Sequence, residues 1–248
     1  MAGSKILVLG ATGPTGINVL RELIHRKLSA VVYARTPSKI PPELQSSPYI
    51  EIIQGEFRAS DEPALSRAIA QCYAVISLIG PVLGEVRSYT PTFFADIYTQ
   101  QVLPLMIQHS VPRILAMSTV SVYRQEDSFS FLRWLNSLVI RLLFSTAQKN
   151  MFAVEAAFDN DKQAHELDWT VYRMVIVLGG CDEQSWQKDR AAGEMYAGPV
   201  GAKGFSLLSR RGQLARWLVD AALDKNGQWS QKMPAVSRVA GGKSSKAA

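Results

Sequence analysis

Three glycines, Gly10, Gly13 and Gly16, mark the first place where this sequence can act on a ligand. They follow the unbroken apolar run Ile6-Leu7-Val8-Leu9 and precede Ile17, Leu20, Leu23 and Ile24, which recur at helical spacing. The order is therefore strand, tight turn, helix, and glycine spacing is informative in that context. Gly10 can turn the chain without Cβ strain, Gly13 can admit a ligand close to the backbone, and Gly16 can bring the helix onto the strand. The first N–H groups of such a helix have no intrahelical acceptor. With Thr12, Pro14 and Thr15, the turn is suited to cradle a diphosphate.

A second group of residues bears on which diphosphate. In dinucleotide folds an acidic residue at the end of the second strand bonds the ribose 2′-hydroxyl of NAD. Here Arg35 stands in that place, with Ser38 and Lys39 just behind it. A guanidinium grips a phosphate through two parallel bonds, so the pattern favours NADP(H). As plain solvated loop charges, Arg35 and Lys39 would carry no such meaning. Glu56, after the third apolar run, is placed to meet an adenine edge or to cap the next turn, and Gly80 closes the fourth run where a cofactor ribose would lie. Ser118, Thr119, Ser121 and Tyr123 follow the fifth. Hydroxyls there can polarise a carbonyl beside a nicotinamide, or merely satisfy nearby backbone.

The elements that must hold these residues follow from the apolar runs. Strands are expected at 30–34, 49–54, 74–79, 113–117 and 169–176 after the first at 6–9, with helices at 93–108 (disturbed near Pro104) and 149–166. A further helix is expected to start near Ser60-Asp61-Glu62-Pro63, and a closing helix to be capped by Ser209. Arg21, Glu22, His25 and Arg26 form the polar side of the first helix. The expected fold class is α/β, a Rossmann-type doubly wound parallel sheet, in one domain over 1–235 with an extended C-terminal substrate-covering segment at 179–205. A disordered Gly/Ser/Lys/Ala tail is expected at 236–248. The apolar, aromatic stretch 131–144 reads as core helix, substrate wall, homodimer face or membrane-surface helix.

Composition narrows the classes. The chain has 248 residues, 47% of them hydrophobic, enough for one well-buried α/β domain. The net charge of +6 draws on Arg238, Lys243 and Lys246 near the C-terminus, and no zinc-finger or RNA-binding module is visible, so no nucleic-acid partner is expected. Cys72 and Cys181 are isolated, and His25, His109 and His165 lack ligand spacing, so no metal site is expected. No apolar segment is long enough to span a bilayer, which gives the expectation of a soluble, cytoplasmic protein.

The turn Gly10-Ala11-Thr12-Gly13-Pro14-Thr15-Gly16, Arg35, Ser118-Thr119 and Leu167-Asp168-Trp169-Thr170-Val171-Tyr172-Arg173 together resemble the atypical short-chain dehydrogenases. The similarity is strongest to the fungal NmrA-like NAD(P)-binding branch, which includes averufin-oxidase-like oxidoreductases of secondary metabolism. That resemblance implies a nicotinamide-side contact at Arg173 and a catalytic group drawn from Ser118, Tyr123 and Lys149. The standard tyrosine-x-x-x-lysine pair is incomplete, because Ser145 stands where the tyrosine would be, and the usual arginine-proline reads Arg173-Met174. The reading is an NADPH-dependent oxidoreductase acting on a hydrophobic small molecule, an aromatic or polyketide-like ketone or quinone. The alternatives are an NADP(H) sensor regulating a protein partner, or a redox-neutral isomerase or cyclase on the same scaffold.

Overall fold

A computed structural model of the chain describes residues 3–81, 88–129, 134 and 145–241. Its strands are β1 Lys5–Leu9, β2 Ala30–Ala34, β3 Ile50–Gln54, β4 Cys72–Ser77, β5 Arg113–Thr119, β6 Asp168–Met174, β7 Ile176–Leu178, β8 Met195–Gly198, β9 Leu208–Arg210 and β10 Ala235–Arg238. The helices are α1 Pro14–His25, α2 Pro42–Gln45, α3 Glu62–Ala70, α4 Phe93–Ile97, α5 Leu103–Gln108, α6 Ser145–Asn160, α7 Lys162–His165, α8 Glu183–Arg190 and α9 Arg211–Leu223.

The main sheet runs β3-β2-β1-β4-β5-β6-β10-β8, parallel except for the antiparallel edge strand β8. The strand order reverses between β1 and β4, and such a switch point is where open α/β sheets bind ligands, beyond the carboxyl ends of the strands. Alternation along β1 shows how both faces are covered. Leu7 and Leu9 join a core with Leu65 and Ile69 of α3, Met106 of α5 and Phe158 of α6. Ile6 and Val8 join another with Leu20 and Leu23 of α1 and Leu214 and Leu218 of α9. Strands buried on two sides have no polar face, which is why the sequence runs are uniformly apolar.

Between α4 and α5 the chain widens into a π-helical stretch, Tyr98–Val102, just ahead of Pro104. A proline inside a regular helix lacks a donor and crowds the carbonyl one turn back, and a widened turn relieves both problems.

Several expectations need correction. Arg21 and Glu22 are buried rather than solvated. The cause is α8, whose Arg190 pairs with Glu22 while Glu183 pairs with Arg21. Segment 179–205 is folded rather than irregular: α8 packs on α1 and α9, and Met195–Gly198 becomes the sheet edge. Ser209 caps nothing, because it is buried in β9 and the N-cap of α9 is Arg210. The tail boundary at 236 also moves. Val236 to Arg238 are strand residues, with Val236 paired to both Met174 and Ala197. Residues 242–248 lie outside the described residues, as does the stretch 131–144 apart from the exposed Trp134.

Candidate functional site: a dinucleotide cleft

The turn after β1 is built from missing side chains. Gly10 has φ +78°, and a Cβ on it would come within 2.8 Å of the Leu78 carbonyl, so both conformation and space demand glycine. A Cβ on Gly16 would meet the Gly10 oxygen at 2.5 Å and the Ala11 Cα at 2.6 Å. Gly13 differs. Its φ of −79° suits any residue, and a Cβ there would meet only the Gly10 oxygen, at an ordinary 3.6 Å. Nothing in the protein's own packing demands glycine at 13, whereas close approach of a ligand to the backbone would. Gly13 is also the N-cap of α1 and has no side chain to satisfy the first-turn N–H groups, while Pro14 has no N–H at all. The N–H groups of Thr15 and Gly16 are thus left for an anion.

Beyond the turn lies a cleft of about 310 Å³, lined on one side by Gly10, Thr12 and Gly13 and at the ends of β2 and β3 by Tyr33, Arg35, Glu56 and Phe57. The opposite wall is apolar: Ile79, Tyr89, Phe93, Phe94 and Ile97. Tyr89 stacks on Phe93 with centroids 5.0 Å apart, and Phe94 meets both rings edge-on. Asn150 of α6 anchors this wall, accepting from the Phe94 N–H and donating to the Thr90 carbonyl. The turn after β3 is equally fixed. The Tyr33 hydroxyl donates to the Glu56 carbonyl at 2.7 Å, and the Asp61 carboxylate accepts from the Glu56 N–H at 2.8 Å. Burial, with help from the Asp61 and Glu56 charges, pushes the Tyr33 phenol up to about 12, so it stays a neutral donor.

A family model described as NAD(P)H-binding matches residues 10–225. The chain belongs to this NAD(P)H-binding family. The fold is shared with solved structures of low identity. A short-chain dehydrogenase/reductase (wide type) from Veillonella parvula DSM 2008, in complex with NADP, has a TM-score of 0.69 at 16% identity, covering 98% of this chain and 97% of that one. An ethylated short-chain dehydrogenases/reductase from the same organism gives 0.71 at 15% identity, covering 98% and 96%. ChuY, an anaerobillin reductase from Escherichia coli O157:H7, gives 0.67 at 14%, covering 94% and 97%. The Gly10–Gly16 turn and the cleft beside it have the shape and the unbonded N–H groups that an NAD(P)H diphosphate needs: Gly13, the one glycine of the turn that packing does not require, lines the cleft.

The other residues singled out from the sequence divide clearly. Thr12, Arg35, Glu56 and Gly80 line the cleft, and Pro14 and Thr15 open α1 beside it. Lys39 ends an exposed 3₁₀ turn, Pro37–Lys39, and is not among the residues lining the cleft. Arg173, expected beside the nicotinamide, is instead entirely buried. Its guanidinium grips Asp127 through two bonds of 2.6 and 2.9 Å and donates to the carbonyls of Met233 and Val122. With those donors engaged and no solvent exposure, it clamps the segment after β5 to the approach to β10. Asp127 is driven down to about 2: its burial opposes that shift, and the Arg173 bonds and the Val200 N–H outweigh it.

The three catalytic candidates lie in unlike surroundings. Ser118 is buried, Tyr123 is half-exposed, and Lys149 lies on the exposed side of α6, as does Ser145. The Ser118 hydroxyl donates instead to Glu155 of α6, which is only 2% exposed. Burial pushes the Glu155 carboxyl up to about 7, against the opposing pull of Ser118 and of the Arg173 and Arg124 charges. Glu155 was missed because a lone glutamate on an amphipathic helix carries no sequence signal of burial. The aromatic wall was missed because Phe93 and Phe94 stood only as the start of a helix and no motif marks Tyr89. Among the described residues there is no cluster of three or more His, Cys, Asp or Glu suited to a metal, and no helix long and apolar enough to cross a membrane.

Proposed function

We propose that this NAD(P)H-binding family member is an NADPH-dependent oxidoreductase acting on a hydrophobic small molecule, an aromatic or polyketide-like ketone or quinone. The observation that carries the cofactor preference is Arg35, which lines both the dinucleotide cleft and the cavity beside it at the end of β2. The first-turn N–H groups of α1 hold the diphosphate, Arg35 takes the 2′-phosphate, and the aromatic wall of Tyr89, Phe93 and Phe94 supports an apolar substrate class. Bound NADPH supplies the hydride. Ser118 is the last residue but one of β5, and Tyr123 is the exposed phenol just beyond the strand. The NmrA-like resemblance supports a place in fungal secondary metabolism.

Titrating the protein with NADPH and NADH tests the cofactor reading. Arg35→Ala is expected to weaken NADPH about tenfold, a loss typical of one charge-assisted contact, and to leave NADH nearly unchanged. Equal loss of both would overturn it.

The position of Lys149 favours a second reading. Lys149 and Ser145 are both exposed, and neither is among the described residues lining the cleft, which suits an NADP(H) sensor without turnover. Following NADPH absorbance against a panel of quinones and aromatic ketones separates the two, since binding without turnover across the panel favours the sensor.

A further inference from the structure

We propose that Arg58 is a second determinant of 2′-phosphate recognition, parked on Glu56 until the cofactor arrives. The inference deepens the NADPH reading above and rests on it. Arg35 and Arg58 line one cavity of about 530 Å³, together with Gln54, Glu56, Asp61 and Arg67. That cavity joins the dinucleotide cleft along Arg35, Gly55 and Glu56, which line both. A ligand group passing the rim at Arg35 therefore enters a space whose far side carries Arg58.

Glu56 holds Arg58 in a way that a phosphate can replace. Arg58 Nε donates to Glu56 Oε2 at 2.7 Å, and its Nη2 donates to that same oxygen. Two donors thus converge on one acceptor, where a fork-to-fork pair would engage both carboxylate oxygens. Both side chains are open to water, 61% exposed for Arg58 and 33% for Glu56, so solvent screens the pair and it holds weakly. A ribose 2′-phosphate carries more charge than a carboxylate and offers three oxygens, so it accepts both guanidinium donors without crowding.

The surrounding charges allow this transfer. Asp61, the cavity's other carboxylate, already accepts from the Glu56 N–H and the Ser60 hydroxyl. The backbone that carries Arg58 is fixed as well: its N–H donates to the Glu56 carbonyl, which also accepts from Tyr33. Only the Arg58 side chain has to move. The same carboxylate then serves two ends, restraining the guanidinium in the free protein and standing at the adenine end of the cleft once released.

Calorimetric titration of the full chain with 2′,5′-ADP and 5′-AMP tests this, since the two probes differ only in the 2′-phosphate. Arg58→Ala, a change at an exposed side chain, is expected to weaken 2′,5′-ADP about tenfold and to leave 5′-AMP unchanged. Glu56→Gln, which loosens the parked guanidinium, is expected to raise the ratio of 2′,5′-ADP to 5′-AMP affinity. If Arg58→Ala leaves the ratio untouched while Arg35→Ala abolishes it, the Arg58 inference falls and the NADPH reading stands. If the wild-type protein shows no preference for 2′,5′-ADP, both fall.

Discussion

The carboxyl ends of β1 and β2 and those of β5 and β6 lie along one edge of the same parallel sheet, yet they are made in opposite ways. The first pair ends in a turn whose glycines withhold side chains and whose helix leaves its N–H groups uncapped. The second pair ends among side chains that bond one another: Arg173 with Asp127, and Ser118 with one oxygen of Glu155. One end is kept open by backbone geometry, and the other is closed by buried polar groups. Under the proposed function, affinity for the anionic cofactor belongs to the open end.

The closed end should break hardest. Arg173→Leu leaves the Asp127 carboxylate buried without its partner and is expected to cost about 3–5 kcal/mol in a urea titration. Changing both residues to leucine should recover part of that loss, because it removes the stranded charge. Next in size is a pH dependence. Glu155 titrates near 7 in the folded protein against an ordinary value of 4.5, so the folded state holds the extra proton between those limits. Stability should therefore fall as pH rises from about 4.5 to about 7, by up to about 3 kcal/mol, and level off above. Glu155→Gln should flatten the melting temperature across that range. Asp127 has the opposite sign: its contribution is full above its ordinary value of 3.8 and is lost only as pH falls through about 2. It adds no slope between pH 5 and 8.

At the open end, two neighbouring glycines should part company. Gly16→Ala drives a Cβ into fixed backbone and is expected to cost about 1–3 kcal/mol, read as a lowered melting temperature, with cofactor binding lost as α1 shifts. Gly13→Ala should change stability by less than about 0.5 kcal/mol, since its backbone and surroundings accept a methyl group. NADPH binding should nonetheless weaken sharply in a fluorescence titration. A Gly13→Ala protein that binds normally would show that the cradle is not where the cofactor lies.

How far the sequence could be read followed the range of the interactions involved. β1, β2 and β4 were visible as apolar runs because both faces of each are covered, and the turn after β1 was visible because its demands are local. The short strands β8, β9 and β10 were not. β10 meets β6 at only Ala235–Arg173 and Val236–Met174, a pairing set by residues about sixty positions apart, and its own four residues carry no period that announces it. Arg21 and Glu22 look like a solvated helix face until α8 is laid across them, with Arg190 reaching Glu22 and Glu183 reaching Arg21.

By itself, then, the sequence determined the strand-turn-helix that opens the chain, the alternation of strands and helices behind it, and a cation in place of an acid at the end of β2. Each of these is written in neighbouring residues and their backbone preferences. Only the tertiary structure decided that Arg173 faces inward, that Lys149 faces out, that Glu155 lies beneath Ser118, and that Arg58 shares a cavity with Arg35. A charged side chain is buried or exposed according to what distant parts of the chain lay over it, and no local pattern records that.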